Sequence, residues 1–131
     1  MARGILAVVA GLVAFVAVVA VAGIAMRAAW SDYARVADAM TFTLPMMIAR
    51  LSIGAVATIA AGLVTARIAS RSTIVRVAPG LLLLVAFIPQ HVMLWEKFPV
   101  WYHLTFLLSL VPLTYLGGAA ISREATSAAP S

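Results

Sequence analysis

Four long apolar runs, separated by short polar connections, dominate the chain. The first, residues 4–26 (GILAVVAGLVAFVAVVAVAGIAM), contains no charged residue and is flanked by Arg3 and Arg27. The second, residues 44–66, places Pro45 in its first turn, where a missing N–H costs nothing, and carries Arg50 as its only charge. The third and fourth cover residues 77–95 and 101–121. A bilayer core roughly 30 Å thick is crossed by about 20 apolar residues in a helix, so each run is long enough to span. None alternates polar and apolar positions as the wall of a membrane β-barrel does. The pattern predicts an all-α, polytopic membrane protein built as a four-transmembrane-helix bundle, with residues 1–131 forming one integral membrane domain.

The first run could imitate a signal peptide, with small residues near Ala20, Ala22 and Gly23 resembling a cleavage site. Its apolar stretch exceeds the roughly 7–15 residues of a signal core, which favours an uncleaved helix. Between the first two spans, Trp30, Tyr33, Ala37 and Met40 recur at helical spacing opposite Asp32, Arg35 and Asp38. That spacing predicts a short amphipathic helix lying in the interface. The linker RIASRSTIVR carries three arginines and no acid, and the polar tail of residues 122–131 is expected to be disordered.

Composition sharpens the class. Of the 131 residues 65% are hydrophobic and only 10% charged, which no soluble domain matches and which leaves no room for a separate soluble unit. The net charge of +5 would suit nucleic acid, but the nine basic residues are scattered and several sit at the ends of apolar runs, so no nucleic-acid partner is expected. The chain has no cysteine, which removes disulfides, thiolate metal sites and cysteine nucleophiles.

Charge distribution also sets an orientation. Arg3, Arg67, Arg71, Arg76 and Arg123 fall on one side of the spans, and Arg27, Arg35 and Lys97 on the other. Basic residues collect on the cytoplasmic side, so both termini are expected in the cytoplasm of a bacterial inner (plasma) membrane. Trp30, Tyr33, Trp95, Trp101 and Tyr102 all fall on the opposite side, where amphipathic rings serve as interfacial anchors at the headgroups. The two halves show no self-similarity, so an inverted-repeat transporter is not supported.

Helices in lipid associate by close backbone approach, and small residues in register mark the contact faces. Ala7, Gly11 and Ala14 form such a stripe in the first span, and Gly54, Ala57 and Ala61 in the second. The second stripe begins one turn earlier at Arg50, which directs that cation into the bundle, where it is tolerable. Pro89 and Pro112 lie inside the third and fourth spans and are expected to open the backbone there.

The densest chemistry lies in IPQHVMLWEKFPVWYHL, residues 88–104, which holds two histidines around the charged pair Glu96 and Lys97. A tight hairpin at residues 96–100 makes the flanking helices neighbours, so His91 and His103 descend from one turn at similar depth. Arg50, Gln90, His91, Glu96 and His103 are therefore candidates for a shared polar vestibule in the outer leaflet, with Asp32 and Asp38 closing it from above. Arg50 is expected to join either an outer acid or Gln90 and His91.

No catalytic residue and no metal site are indicated. No carboxylate lies within a span, no serine has a histidine and acid at triad spacing, and no glycine-rich phosphate loop occurs. No cofactor is called for by a motif. Haem and quinone are the alternatives, and two histidines across one tight hairpin leave little room for a porphyrin. The leading reading is a structural or accessory subunit of a membrane complex, partnered by the lipid bilayer and by other membrane subunits or copies of itself, in which the polar cluster only anchors helix ends. The alternatives are a quinone- or haem-binding redox protein using His91, His103 and Arg50, and a small oligomeric transporter or channel.

Overall fold

The computed structural model describes residues 1–69 and 72–128. Five helices follow in chain order: α1 Ala2–Ala29, α2 Ser31–Val36, α3 Leu44–Ile68, α4 Thr73–Met93 and α5 Val100–Ala128. Three of them whole, and α5 over Val100–Ile121, are long and apolar enough to cross a membrane. The chain is thus an integral membrane protein with the all-helical, four-span architecture that its apolar runs predict.

Two boundaries differ by four residues or more from those read along the sequence, and the others by three or fewer. Helix α4 starts at Thr73 because the Ser72 hydroxyl accepts the Val75 N–H at 3.4 Å, capping a turn that hydropathy alone assigned to the linker. The linker residues Ser70 and Arg71 lie outside the described residues. Helix α5 continues through Ala128, so the tail is helical at positions expected to be disordered. Arg123, Glu124 and Ala125 are good helix formers, and the first helix breaker after them is Pro130. Residues 129–131 of that tail lie outside the described residues.

Helix α3 is the centre of the bundle and packs against α1, α4 and α5, while α4 closes the ring by touching α5 and α1. The expected small-residue stripes are these seams. Ala7 and Gly11 are buried on α1 with Ala14 half-buried beside them, and Gly54, Ala57 and Ala61 are buried on α3. A Cβ on Gly62 would collide with the Thr114 carbonyl, and one on Gly117 with that of Ile59, so α3 and α5 meet backbone to backbone. Gly80 brings α4 just as close to α5, with a Cβ there falling 2.8 Å from Leu110 O. Between α1 and α3 the single hydrogen of the Thr65 hydroxyl is shared by Ala61 O, 2.8 Å away within its own helix, and Ala7 O, 3.2 Å away across the seam. Phe15, Ala57, Ala61, Leu83 and Leu110 fill the centre.

At one end of the bundle α2 folds across the helix ends. Tyr33 and Ala37 are buried and Trp30 is half-buried, while Asp32 pairs with Arg35 and Asp38 with Arg27 on the exposed side. Met40 takes a left-handed φ of 56°, turning the chain toward α3. Pro79, Pro89 and Pro112 all lie within helices. Pro89 and Gln90 are exposed while His91 is buried, so the proline lies on the outer flank of α4 rather than facing the bundle.

Candidate ligand cavity

The connection from α4 to α5 brings the two histidines together. Phe98 is the buried residue of this short turn, and its ring stacks 4.5 Å from Tyr102 one helical turn later. His103 is fully buried and His91 nearly so, with their Nδ1 atoms 2.7 Å apart. His103 Nε2 lies 3.2 Å from the Trp95 carbonyl oxygen, and the Trp95 indole stacks on the His103 ring at 4.7 Å. His91 stacks on Phe106 at 4.9 Å. Both rings are thus held on their faces and edges by aromatic neighbours and by each other.

Bond directions follow from the acceptor at the end of the chain. A carbonyl oxygen only accepts, so His103 Nε2 carries the hydrogen. In the neutral pair His103 Nδ1 is then an acceptor, which His91 Nδ1–H satisfies, and His91 Nε2 is left with a lone pair. The hairpin turn therefore dictates, through two rings, which nitrogen of His91 accepts.

Arg50 reaches the same place from α3. Its Nη1 donates to the Tyr33 hydroxyl at 2.8 Å, its Nε to the Tyr102 hydroxyl at 3.3 Å, and its guanidinium carbon lies 4.6 Å from the Phe42 ring centroid. Phe42 stacks in turn on Tyr33 and Phe98. The cation is held by neutral phenols and a ring face, instead of by an outer acid or by Gln90 and His91 as expected. Asp32 and Asp38 are taken by arginines of their own segment and do not close the vestibule. Since both phenol oxygens accept from Arg50, each keeps its own O–H to donate elsewhere.

These groups enclose a cavity of about 200 Å³, lined by Tyr33, Arg50, Gln90, His91, Tyr102 and His103 with Phe15, Phe87, Phe98 and Phe106 among its apolar walls. Gly54 allows the Phe106 ring against α3, since a Cβ there would sit 3.0 Å from it. Of the five vestibule candidates, four line this space. Glu96 is exposed on the turn and is not among the lining residues. Of the five anchoring aromatics, Trp95 and Trp101 are exposed and Trp30 half-buried, but Tyr33 and Tyr102 are only 4% and 6% exposed and serve the cavity. A phenol that ends at a half-buried guanidinium gains more there than at a headgroup that water already solvates.

No protein-family model, curated protein or solved structure matches the chain. Haem does not fit between the histidines, because axial nitrogens lie on opposite faces of a porphyrin and these two touch. Among the described residues no third histidine, cysteine or carboxylate joins them as a metal-binding group. The site is suited to a small ring: aromatic walls, a fixed cation, two free phenol hydrogens and one imidazole lone pair.

The phenylalanines of the cavity carry no assignment in the sequence, although spacing gives a signal for two of them. Tyr102 and Phe106 are spaced by four, as are Phe87 and His91, so each pair shares one helix face. Phe42 carried no such signal, because it lies in the connection that returns over the bundle end.

Proposed function

We propose that this chain is a small accessory membrane protein that binds the ring of a lipid-soluble quinone. The observation that carries the reading is the convergence of Arg50, Tyr33, Tyr102 and His91 on one aromatic-walled cavity. Most small-ligand sites are apolar clefts with a few placed polar groups, and here the polar groups are of the kinds that a ring bearing oxygens requires. Arg50 supports binding over anchoring. An intramembrane cation with only neutral partners is costly, and a ligand oxygen would complete its hydrogen bonding.

A decyl-substituted benzoquinone titrated into the purified protein in lipid nanodiscs is expected to saturate at one ring per chain. Tryptophan fluorescence should fall with the same midpoint, since Trp95 stacks on His103 at the cavity wall. Uptake that rises linearly with concentration, as in empty nanodiscs, would reduce the cavity to a packing feature.

The orientation that fits this role places the cavity in the outer half of a bacterial inner membrane, with both termini cytoplasmic. Its support is the greater number of basic residues at the terminal end. Reporter fusions after Lys97 and after Arg123 should be active only outside and only inside, respectively. A periplasmic signal after Arg123 reverses the topology, and equal signals on both sides mean dual insertion.

A further inference from the structure

Hydrogen-bond direction at His91 has a consequence for the redox state of the ligand, and it rests on the quinone reading above. We propose that the cavity selects the hydroquinone form of its ligand over the quinone form. A quinone offers two carbonyl oxygens, both acceptors only. A hydroquinone offers two hydroxyls, each able to donate one hydrogen and still accept another.

The cavity is not symmetric in what it presents. Arg50 only donates, and the hydroxyls of Tyr33 and Tyr102, whose oxygens already accept from the guanidinium, keep their hydrogens to donate. His91 Nε2 is instead an acceptor, because His103 Nε2–H is committed to Trp95 O and the shared Nδ1···Nδ1 contact takes the only hydrogen of His91. Gln90, exposed at the rim, offers both kinds of group and discriminates neither form. A ring with one oxygen toward Arg50 and the other toward His91 is satisfied at both ends only if the second oxygen carries a hydrogen. A quinone carbonyl there would set two lone pairs against each other. Sites built to bond a hydroxyl reject the analogue that lacks it more strongly than apolar pockets reject a missing methylene.

His91 would touch the ligand, while His103 acts through it as a positioning residue. The turn carbonyl at Trp95 is the origin of the chain, so the preference is written into the backbone of the hairpin. No electron transfer is implied, because binding alone carries the selection.

The test uses the full chain in nanodiscs at pH 8. Decyl-benzoquinone and its chemically reduced hydroquinone are titrated separately under anaerobic conditions by calorimetry. The hydroquinone is expected to bind about tenfold more tightly, the effect of one satisfied against one opposed hydrogen bond. By linkage the bound couple should shift about 30 mV to higher potential, the two-electron equivalent of that factor. Nitrogen NMR of the imidazoles should show His91 protonated at Nδ1 and bare at Nε2, which needs no variant. His91→Phe should bring the two forms within about twofold of each other, and His103→Phe should narrow the gap by freeing the His91 tautomer.

Equal affinities, tighter quinone binding, or a hydrogen on His91 Nε2 would overturn the selection while leaving the quinone site standing. Failure of both forms to bind would instead remove the proposed function beneath it.

Discussion

Gly62→Ala is expected to destabilise the protein by about 2 kcal/mol, and Gly62→Val by about 3 kcal/mol or more, within the range for overpacking a rigid contact. The reason is the identity of the opposing atom. A methyl group at position 62 meets the Thr114 carbonyl of α5, and backbone cannot rotate aside as a side chain would. The helices must move apart, and because Gly117 presses on the Ile59 carbonyl in the same seam, separation at one contact opens the other. In lipid that seam has little hydrophobic driving force of its own, and its strength is close van der Waals approach. Gly23→Ala provides the internal comparison, since nothing lies within 4 Å of a Cβ there, and it should leave stability unchanged or slightly raised. Denaturation in mixed detergent micelles, followed by helical circular dichroism, measures all three. Equal stability of the Gly62 and Gly23 variants would show that α3 and α5 do not pack in this register.

The same residues mark how far the chain can be read without its fold. Spans are legible because apolar length is the requirement that a bilayer imposes, and the α3 stripe is legible because Gly54, Ala57 and Ala61 share one face with Arg50. The pairing of His91 with His103 follows partly from the short turn between them. Rotation about each helix axis does not follow, and it decides what the site is made of. Tyr33 and Tyr102 have the composition of headgroup anchors, and only the crossing of α2 over the bundle end turns the first, and the rotation of α5 the second, toward Arg50. Glu96 lies between the histidines in sequence yet is exposed, because a turn residue and its helical neighbours point in different directions. The displacement of Asp32 and Asp38 from the site did have a local sign: each lies within reach of an arginine in its own segment, Asp32 at the i,i+3 spacing from Arg35.

Arg50 separates folding from binding, and its replacement is expected to have the larger effect on binding. In Arg50→Met the apolar stem is kept and the charge is lost. The two phenol hydrogen bonds and the contact with Phe42 go with it, each worth about 1 kcal/mol. Against this, an intramembrane cation no longer has to be held away from water, a cost of comparable or greater size. The two terms nearly cancel, so the stability of Arg50→Met in the absence of ligand should stay within about 1 kcal/mol of the parent. Quinone affinity has no such compensation. It should fall by about 2 kcal/mol, roughly thirtyfold, the worth of a hydrogen bond from a charged donor. Arg50→Lys should lie between, because an ammonium supplies charge but not the planar fork that spans both phenols. The pattern is that of a residue kept for what it binds. A large loss of stability with affinity intact would instead make Arg50 a strut between α2, α3 and α5, and the hydroxyls of Tyr33 and Tyr102 would then be its supports and not part of a ligand site.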